Sequence, residues 1–486
     1  MKVLLVEPPV SPFDVPTGNA MLPPAHHLER LAGTILQNHD VEIIDMRIDR
    51  TEKDLTERIN SLQPDVVGTS SVAANSGLTK HILSITKRLN PEIKTVVGGH
   101  HPSLYPQDFD DKNVDYVVIG EGEITFPELL RSIETNDSIE SVLGVAYKDS
   151  DGLKYNGLRP VMKNLDNLAM PAWHLTQKYR AKNLYFRLAW RPIDLTFSSR
   201  GCNNACDFCG NWKMWQKTYR SRKPQDVVHE LSLIPAKHVI IVDDNTLDSK
   251  ESSKLAELIE NAGLNKSLQI YGRAKKVADD PKLVEKWRRA GMETLLIGLE
   301  SIDKDRLKQM RKNTTPEIND KAIKVCKDLG VQISSYFIVN PNFTKGDFDR
   351  LSNYIFEKKL DHPVFTVLVP FPGTDLYNKV KYDITVNSFN LFDYFHSVLE
   401  PKLGLEKFYE EFGKLYSRHY PFSIKNFALS LTSPGAANPF KYIRGMYNVK
   451  KGLKNLYKHH QEQGVMTTGP AGGLITPFKG MATDTA

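Results

Sequence analysis

Three of the four cysteines, Cys202, Cys206 and Cys209, fall in one CxxxCxxC run inside SSRGCNNACDFCGNW. Thiolates this close together suit a soft metal centre, either an iron-sulfur cluster or zinc. A structural zinc is normally closed by four ligands, and no further cysteine or histidine lies at a neighbouring CxxC or HxxxH spacing. The fourth cysteine, Cys326, sits in KAIKVCKDLG, where Ala322, Val325 and Leu329 mark a buried helix position. Three ligands leave one metal position open to a substrate or cofactor. The reading is an iron-sulfur cluster, with zinc or plain packing as the alternatives.

Such a loop needs elements on both sides to hold it. Upstream, KVLLVEPP, VEIIDM, DVVGTSSV, KTVVGGHHP and VDYVVIGEGE alternate with amphipathic stretches. Strands continuous in Val and Ile, with helices between them, predict a parallel sheet covered on both faces, whose ligands lie beyond the strands' carboxyl ends. Those ends carry Thr69, Ser70 and Ser71 after the third strand, Gly98 and Gly99 after the fourth, and Gly120 and Gly122 after the fifth. Glycine there lets a bulky ligand approach the backbone, although ordinary turn chemistry uses the same residues. A second block runs IDLTFSS, HVIIVDDN, LQIYGRAK, TLLIGLES, VQISSYFIVN and VFTVLVPFPGT. Six strand-helix steps predict a partial (β/α)6 TIM-like barrel with its chemistry on the loops after the strands. The cysteine run follows the first of these, Asp243, Asp244 and Asn245 the second, Arg273 the third, and Glu300 and Ser301 the fourth.

The fold class is therefore α/β. A doubly wound, Rossmann-like domain is expected over 1–135, a meander and linker over 136–190, the barrel over 191–375, a helical C-terminal region over 376–462 and a disordered tail over 463–486. In the helical region Phe389, Phe392, Tyr394, Phe395, Phe408, Tyr409, Phe412 and Tyr416 are spaced as packed helix faces. Residues 441–460 hold six basic and no acidic side chains with apolar residues between, a pattern compatible with a membrane surface or with a solvated helix packed on the barrel. With 40% hydrophobic and 25% charged residues the chain has ample material for buried cores, which excludes global disorder. A net charge of +6 is too thin an excess to imply nucleic-acid binding. MKVLLVEPPVSPF lacks the apolar stretch of a secretory signal, and no run approaches the length of a membrane span, which makes the cytoplasm the expected location.

CxxxCxxC after the first barrel strand, with Phe208 just before the third cysteine, resembles the radical S-adenosylmethionine (SAM) superfamily. The resemblance implies that Cys202, Cys206 and Cys209 ligate a 4Fe-4S cluster whose unique iron is chelated by SAM, and that one electron then cleaves SAM to a 5'-deoxyadenosyl radical. LLIGLES followed by DRLKQMRKNTT resembles the family's fourth strand and the helix after it, which makes Glu300 a candidate SAM contact or, alternatively, a satisfied carboxylate at the barrel rim. KVLLVEPP, DVVGTSSV, VVGGHHP and VIGEGE resemble the cobalamin-binding domain of one large branch, implying that Thr69, Ser70, Ser71, Val72, Gly98 and Gly99 contact cobalamin. The DxHxxG that would supply a lower axial histidine is absent, and His26 and His27 are expected to be surface or core residues. CGNWKMWQKTYRSRKPQDVVHEL resembles the anaerobic magnesium-protoporphyrin monomethyl ester cyclase branch, with Trp212, Trp215, Tyr219, Arg220 and Arg222 read either as a cavity wall or as packing. The family implies methyl transfer to an unactivated carbon as first choice and oxidative ring closure on a tetrapyrrole-like or lipid-like substrate as second. A non-enzymatic cluster-bearing redox sensor is the third reading. A small-molecule substrate and an electron donor such as flavodoxin or ferredoxin are the implied partners, and no residue is assigned a catalytic role.

Overall fold

The computed structural model describes residues 1–11, 21–150, 152–187, 190–420 and 452–460. Most of the basic run at 441–460 and the whole tail at 463–486 lie outside them.

Seven strands form the first sheet: β1 (Lys2–Glu7), β2 (Asp40–Asp45), β3 (Val66–Ser70), β4 (Lys94–Gly98), β5 (Tyr116–Val118), β6 (Val145–Asp149) and β7 (Gly152–Tyr155). Their order is β2-β1-β3-β4-β5-β6-β7. The first five run parallel, and β6 and β7 add an antiparallel hairpin at the edge. Successive strand residues point to opposite faces. Leu4, Val6, Ile44, Val67 and Val97 accordingly pack into one core, and Val3, Leu5, Ile43, Val66 and Val96 into another on the far side. The hairpin falls inside 136–190, so part of the expected meander belongs to this sheet.

The second sheet is β8 (Ile193–Thr196), β9 (His238–Ile241), β10 (Ser267–Gly272), β11 (Met292–Glu300), β12 (Gln332–Val339) and β13 (His362–Val367). All six are parallel and stand in chain order, with β8 and β13 as edges, so the barrel is partial. The largest core lies between these strands and the surrounding helices, and it contains Cys326, fully buried, as the helix pattern predicts. Phe408, Tyr409, Phe412 and Leu415 of the helix Leu405–His419 complete it. The aromatic run from Phe389 to Phe395 is not a helix face. It is an irregular segment with one 3-10 turn, Phe389–Leu391, because Asp393 turns back to accept from the backbone N–H groups of Phe395 and His396 at 2.7 and 2.8 Å.

Buried ion pairs join the two sheets. Arg30, on the helix α1 (His26–Gly33), donates to Glu230 at 2.7 Å, and Arg222 donates to the other oxygen of Glu230 at 2.7 Å. Although burial opposes it, the two guanidiniums hold the Glu230 carboxyl down at about 2. Arg200 donates to Glu121 at 2.8 Å and also to Glu123, and Arg220 reaches Glu121 at 2.9 Å. Among the described residues, no helix is long and apolar enough to cross a membrane.

Candidate functional site

The carboxyl ends of β3 and β4 form one ledge. Ser71 N–H donates to Gly98 O at 2.8 Å, and His101 N–H returns to Ser71 O at 3.1 Å. Gly99 has φ +103°, and a Cβ there would stand 2.9 Å from Ser71 O and 3.0 Å from Ser71 N. Only glycine fits such a place without strain. Val72, just past β3, is 50% exposed, whereas Val66 and Val67 within the strand are fully buried. An apolar side chain left bare beside a glycine fits contact with a broad, largely apolar ligand such as a corrin. Thr69 and Ser71 are buried, and Ser71 Oγ donates to Asn75 at 3.1 Å, so these two support the ledge from below. His27 Nε2 lies on it, 2.9 Å from Ser70 Oγ and 3.0 Å from Glu7 Oε2. His26 is a core residue, and burial and then the charge of Arg30 keep it neutral.

The cysteine loop lies between the strand Ser199–Gly201 and the helical turn Asn211–Met214. None of the cysteines is bridged. Burial raises the Cys206 thiol and pushes that of Cys209 up to about 12, and a cluster bound there would hold them as thiolates. Among the described residues no three His, Cys, Asp or Glu side chains converge on a single ion. A cluster takes each thiolate on a different iron, so this donor set of three soft thiols on one loop fits a cluster. The loop is pinned on several sides. Trp212 Nε1–H donates to Cys206 O at 3.0 Å, Asp207 N–H to Met310 O at 3.2 Å, and Leu376 N–H to Asp207 O at 2.9 Å.

Glu300 ends β11 with φ +61°, at a point where the ladder to β12 slips register. A positive φ is uncommon outside glycine and collects at functional sites. Its Oε1 accepts from Lys312 Nζ at 2.6 Å, with both side chains nearly buried. Gly298 makes the room: a Cβ there would lie 2.1 Å from Glu300 Oε1 and 2.8 Å from Lys312 Nζ.

The ledge and the loop meet. His100, directly after Gly99, has Nε2 3.0 Å from Asn211 Oδ1, Asn211 Nδ2 donates to Asp244, and Asp244 accepts from Gly201 N–H at 3.0 Å. The sequence reading gave His100 and Lys312 no role. Their signal was position alone, one residue past a strand-end glycine and within the run after the fourth barrel strand. Trp212, Tyr219, Arg220 and Arg222 are committed to packing and to the seam, with Tyr219 OH donating to Asn245 O at 2.7 Å. Tyr394, expected to pack, is instead 60% exposed and is held at the carboxyl end of β13, where Val367 N–H donates to its carbonyl at 2.7 Å.

Residues 30–130 match the model of the B12 binding domain, and residues 196–355 that of the radical SAM superfamily. An uncharacterized methyltransferase of Pyrococcus horikoshii is 27% identical over 432 residues, covering 86% of this chain and 92% of its own. The anaerobic magnesium-protoporphyrin IX monomethyl ester cyclase of Rubrivivax gelatinosus is 28% identical over 375 residues, covering 74% and 67%. In fold, the chain resembles the radical SAM methyltransferase TsrM of Kitasatospora setae, solved with cobalamin and a 4Fe-4S cluster, at a TM-score of 0.67 and 15% identity over 93% of this chain and 99% of that one. A three-cysteine loop beyond a six-stranded partial barrel, joined to a doubly wound domain with a glycine ledge, agrees with both matched models. The chain belongs to the B12-binding radical SAM enzymes, related to class B methyltransferases and anaerobic magnesium-protoporphyrin cyclases, with a 4Fe-4S cluster, SAM and cobalamin as its cofactors.

Proposed function

We propose that this enzyme transfers a methyl group to an unactivated carbon of a small-molecule substrate. The observation that carries the reading is the junction of ledge and loop through His100, Asn211 and Asp244, which would bring the two proposed cofactor surfaces to one seam. Cys202, Cys206 and Cys209 would hold the cluster and Glu300 would contact SAM. Ser70, Val72, Gly98 and Gly99 would face cobalamin, with Thr69 and Ser71 supporting them. When bound, these cofactors supply a 5'-deoxyadenosyl radical and a transferable methyl group. The chain's own task is to orient them, to exclude water and to admit an external reductant such as flavodoxin or ferredoxin. Methyl transfer gives both matched domains a use, and the methyltransferase relatives support it. Oxidative ring closure is the second reading, favoured by the likeness to the Rubrivivax cyclase. Peripheral membrane contact through 441–460 stays a proposal from sequence. Anaerobic turnover with SAM carrying a deuterated methyl group tests the reading. Label in a product heavier by one methylene supports it, and an unlabelled product lighter by hydrogen replaces it with ring closure.

Two predictions follow from the same geometry. Each histidine at the strand ends is engaged or buried: His27 with Glu7 and Ser70, His100 with Asn211, His101 with Asp108, and His26 in the core. Electron paramagnetic resonance of the cob(II)alamin form should therefore show no nitrogen superhyperfine splitting. Splitting that disappears in His27→Ala would sink this expectation. Tyr394, exposed at the carboxyl end of β13, would offer the substrate an aromatic face, and an aromatic contact contributes about 0.5–1.5 kcal/mol. Tyr394→Ala should lower kcat/KM about two- to tenfold, Tyr394→Phe should change it little, and cluster content should be unaltered in both.

A further inference from the structure

We propose that Lys312 sets the reduction potential of the cluster held by the cysteine loop, acting as a fixed buried cation beside it. The proposal rests on the cysteine assignment above.

The backbone brings Lys312 there. Asp207, between Cys206 and Cys209, donates its N–H to Met310 O at 3.2 Å, and Phe208 packs against the small cluster that contains Met310. The segment that follows is held in an unusual shape, with φ of +52° at Arg311 and +54° at Asn313, on either side of Lys312. Lys312 N–H donates to Leu307 O at 3.0 Å, and Arg273 donates to Lys312 O at 2.6 Å. The chain is thus clamped before and at the lysine. Its ammonium, 13% exposed, is then aimed by Glu300, and Gly298 leaves the space for that pair. Two residues with positive φ flanking a buried lysine, and a third in its carboxylate partner, are a costly arrangement for a plain structural salt bridge.

The sign of the effect follows from charge. Three thiolates and the added electron make the reduced cluster the more negative form, and a cation in a poorly polarisable surrounding favours that form. Arg273, which donates to Lys312 O at 2.6 Å, adds charge of the same sign, and Glu300, which accepts from Lys312 Nζ, opposes both. Removing the lysine should lower the potential, and removing the glutamate's charge should raise it.

The test is an anaerobic redox titration of the reconstituted full-length protein, followed by electron paramagnetic resonance, with iron counted for every variant. Lys312→Met should shift the midpoint to more negative potential, Lys312→Arg should leave it near that of the unmutated enzyme, and Glu300→Gln should shift it the other way. Iron retained in Lys312→Arg but lost from Lys312→Met also supports a requirement for the charge. A midpoint unmoved in Lys312→Met with its cluster intact overturns the role of Lys312 alone, as does iron loss from both lysine variants. Absence of a four-iron cluster from the unmutated protein overturns the cysteine assignment, and this proposal with it.

Discussion

Cys202→Ala, Cys206→Ala and Cys209→Ala should each abolish the oxygen-labile four-iron centre and with it SAM cleavage, whereas Cys326→Ala should spare both. The contrast rests on position. The first three share one loop pinned to Met310, Trp212 and Leu376. Cys326 lies fully buried in the helix Pro316–Asp328, packed in the barrel's outer core. Removing one thiolate from a three-ligand site leaves two, too few to retain the cluster under a chelator, so the loss of cleavage should be complete rather than graded. Cys326→Ala removes only a small buried side chain, and its cost should stay at about 1 kcal/mol of stability. Iron analysis and 5'-deoxyadenosine assay read the two outcomes. An iron-free Cys326→Ala beside an iron-loaded Cys209→Ala would reverse the assignment.

Arg200→Met should cost about 3–5 kcal/mol of stability, the penalty for leaving a buried charge unpaired. Its guanidinium holds Glu121 and Glu123, whose side chains are 5% and 11% exposed, and lies over the rings of Phe197 and Trp215. Arg220 still reaches Glu121, so Glu123 is the carboxylate left stranded. Arg200→Lys keeps the charge but loses the fork that serves two carboxylates, and should recover part of the loss. Urea unfolding of the metal-free protein, followed by tryptophan fluorescence, measures both. A change under about 0.5 kcal/mol for Arg200→Met, the range of ordinary surface substitutions, would mean that the seam does not depend on this residue.

The parallel strands of both sheets were legible in the sequence, because buried parallel strands write themselves as runs of Val and Ile, whereas the edge hairpin of β6 and β7 reads there as a separate meander. The ledge was legible through its glycines. What could not be read was which strand-end residues look outward: Val72 and Gly99 are exposed, while Thr69 and Ser71 are buried, a distinction set by the path of the chain at the end of β3 and not by residue type. The seam was equally hidden. Arg200 meets Glu121 and Glu123, and Arg30 meets Glu230, only because the helices and loops around the two sheets pack against each other across long sequence separations. The aromatic run around Phe392 misled for a related reason. Helix-like spacing of apolar residues gives no warning of a side chain such as Asp393 that captures the backbone N–H groups a helix would need.

Methyl transfer is tested most directly by the ratio of SAM products. Each turnover should consume two SAM molecules and two electrons from the reductant: one SAM gives up its methyl group and leaves S-adenosylhomocysteine, the other is cleaved to methionine and 5'-deoxyadenosine. With substrate present the two adenosyl products should accumulate in near-equal amounts. 5'-Deoxyadenosine with little S-adenosylhomocysteine, and no methyl carbon in the product, would contradict methyl transfer.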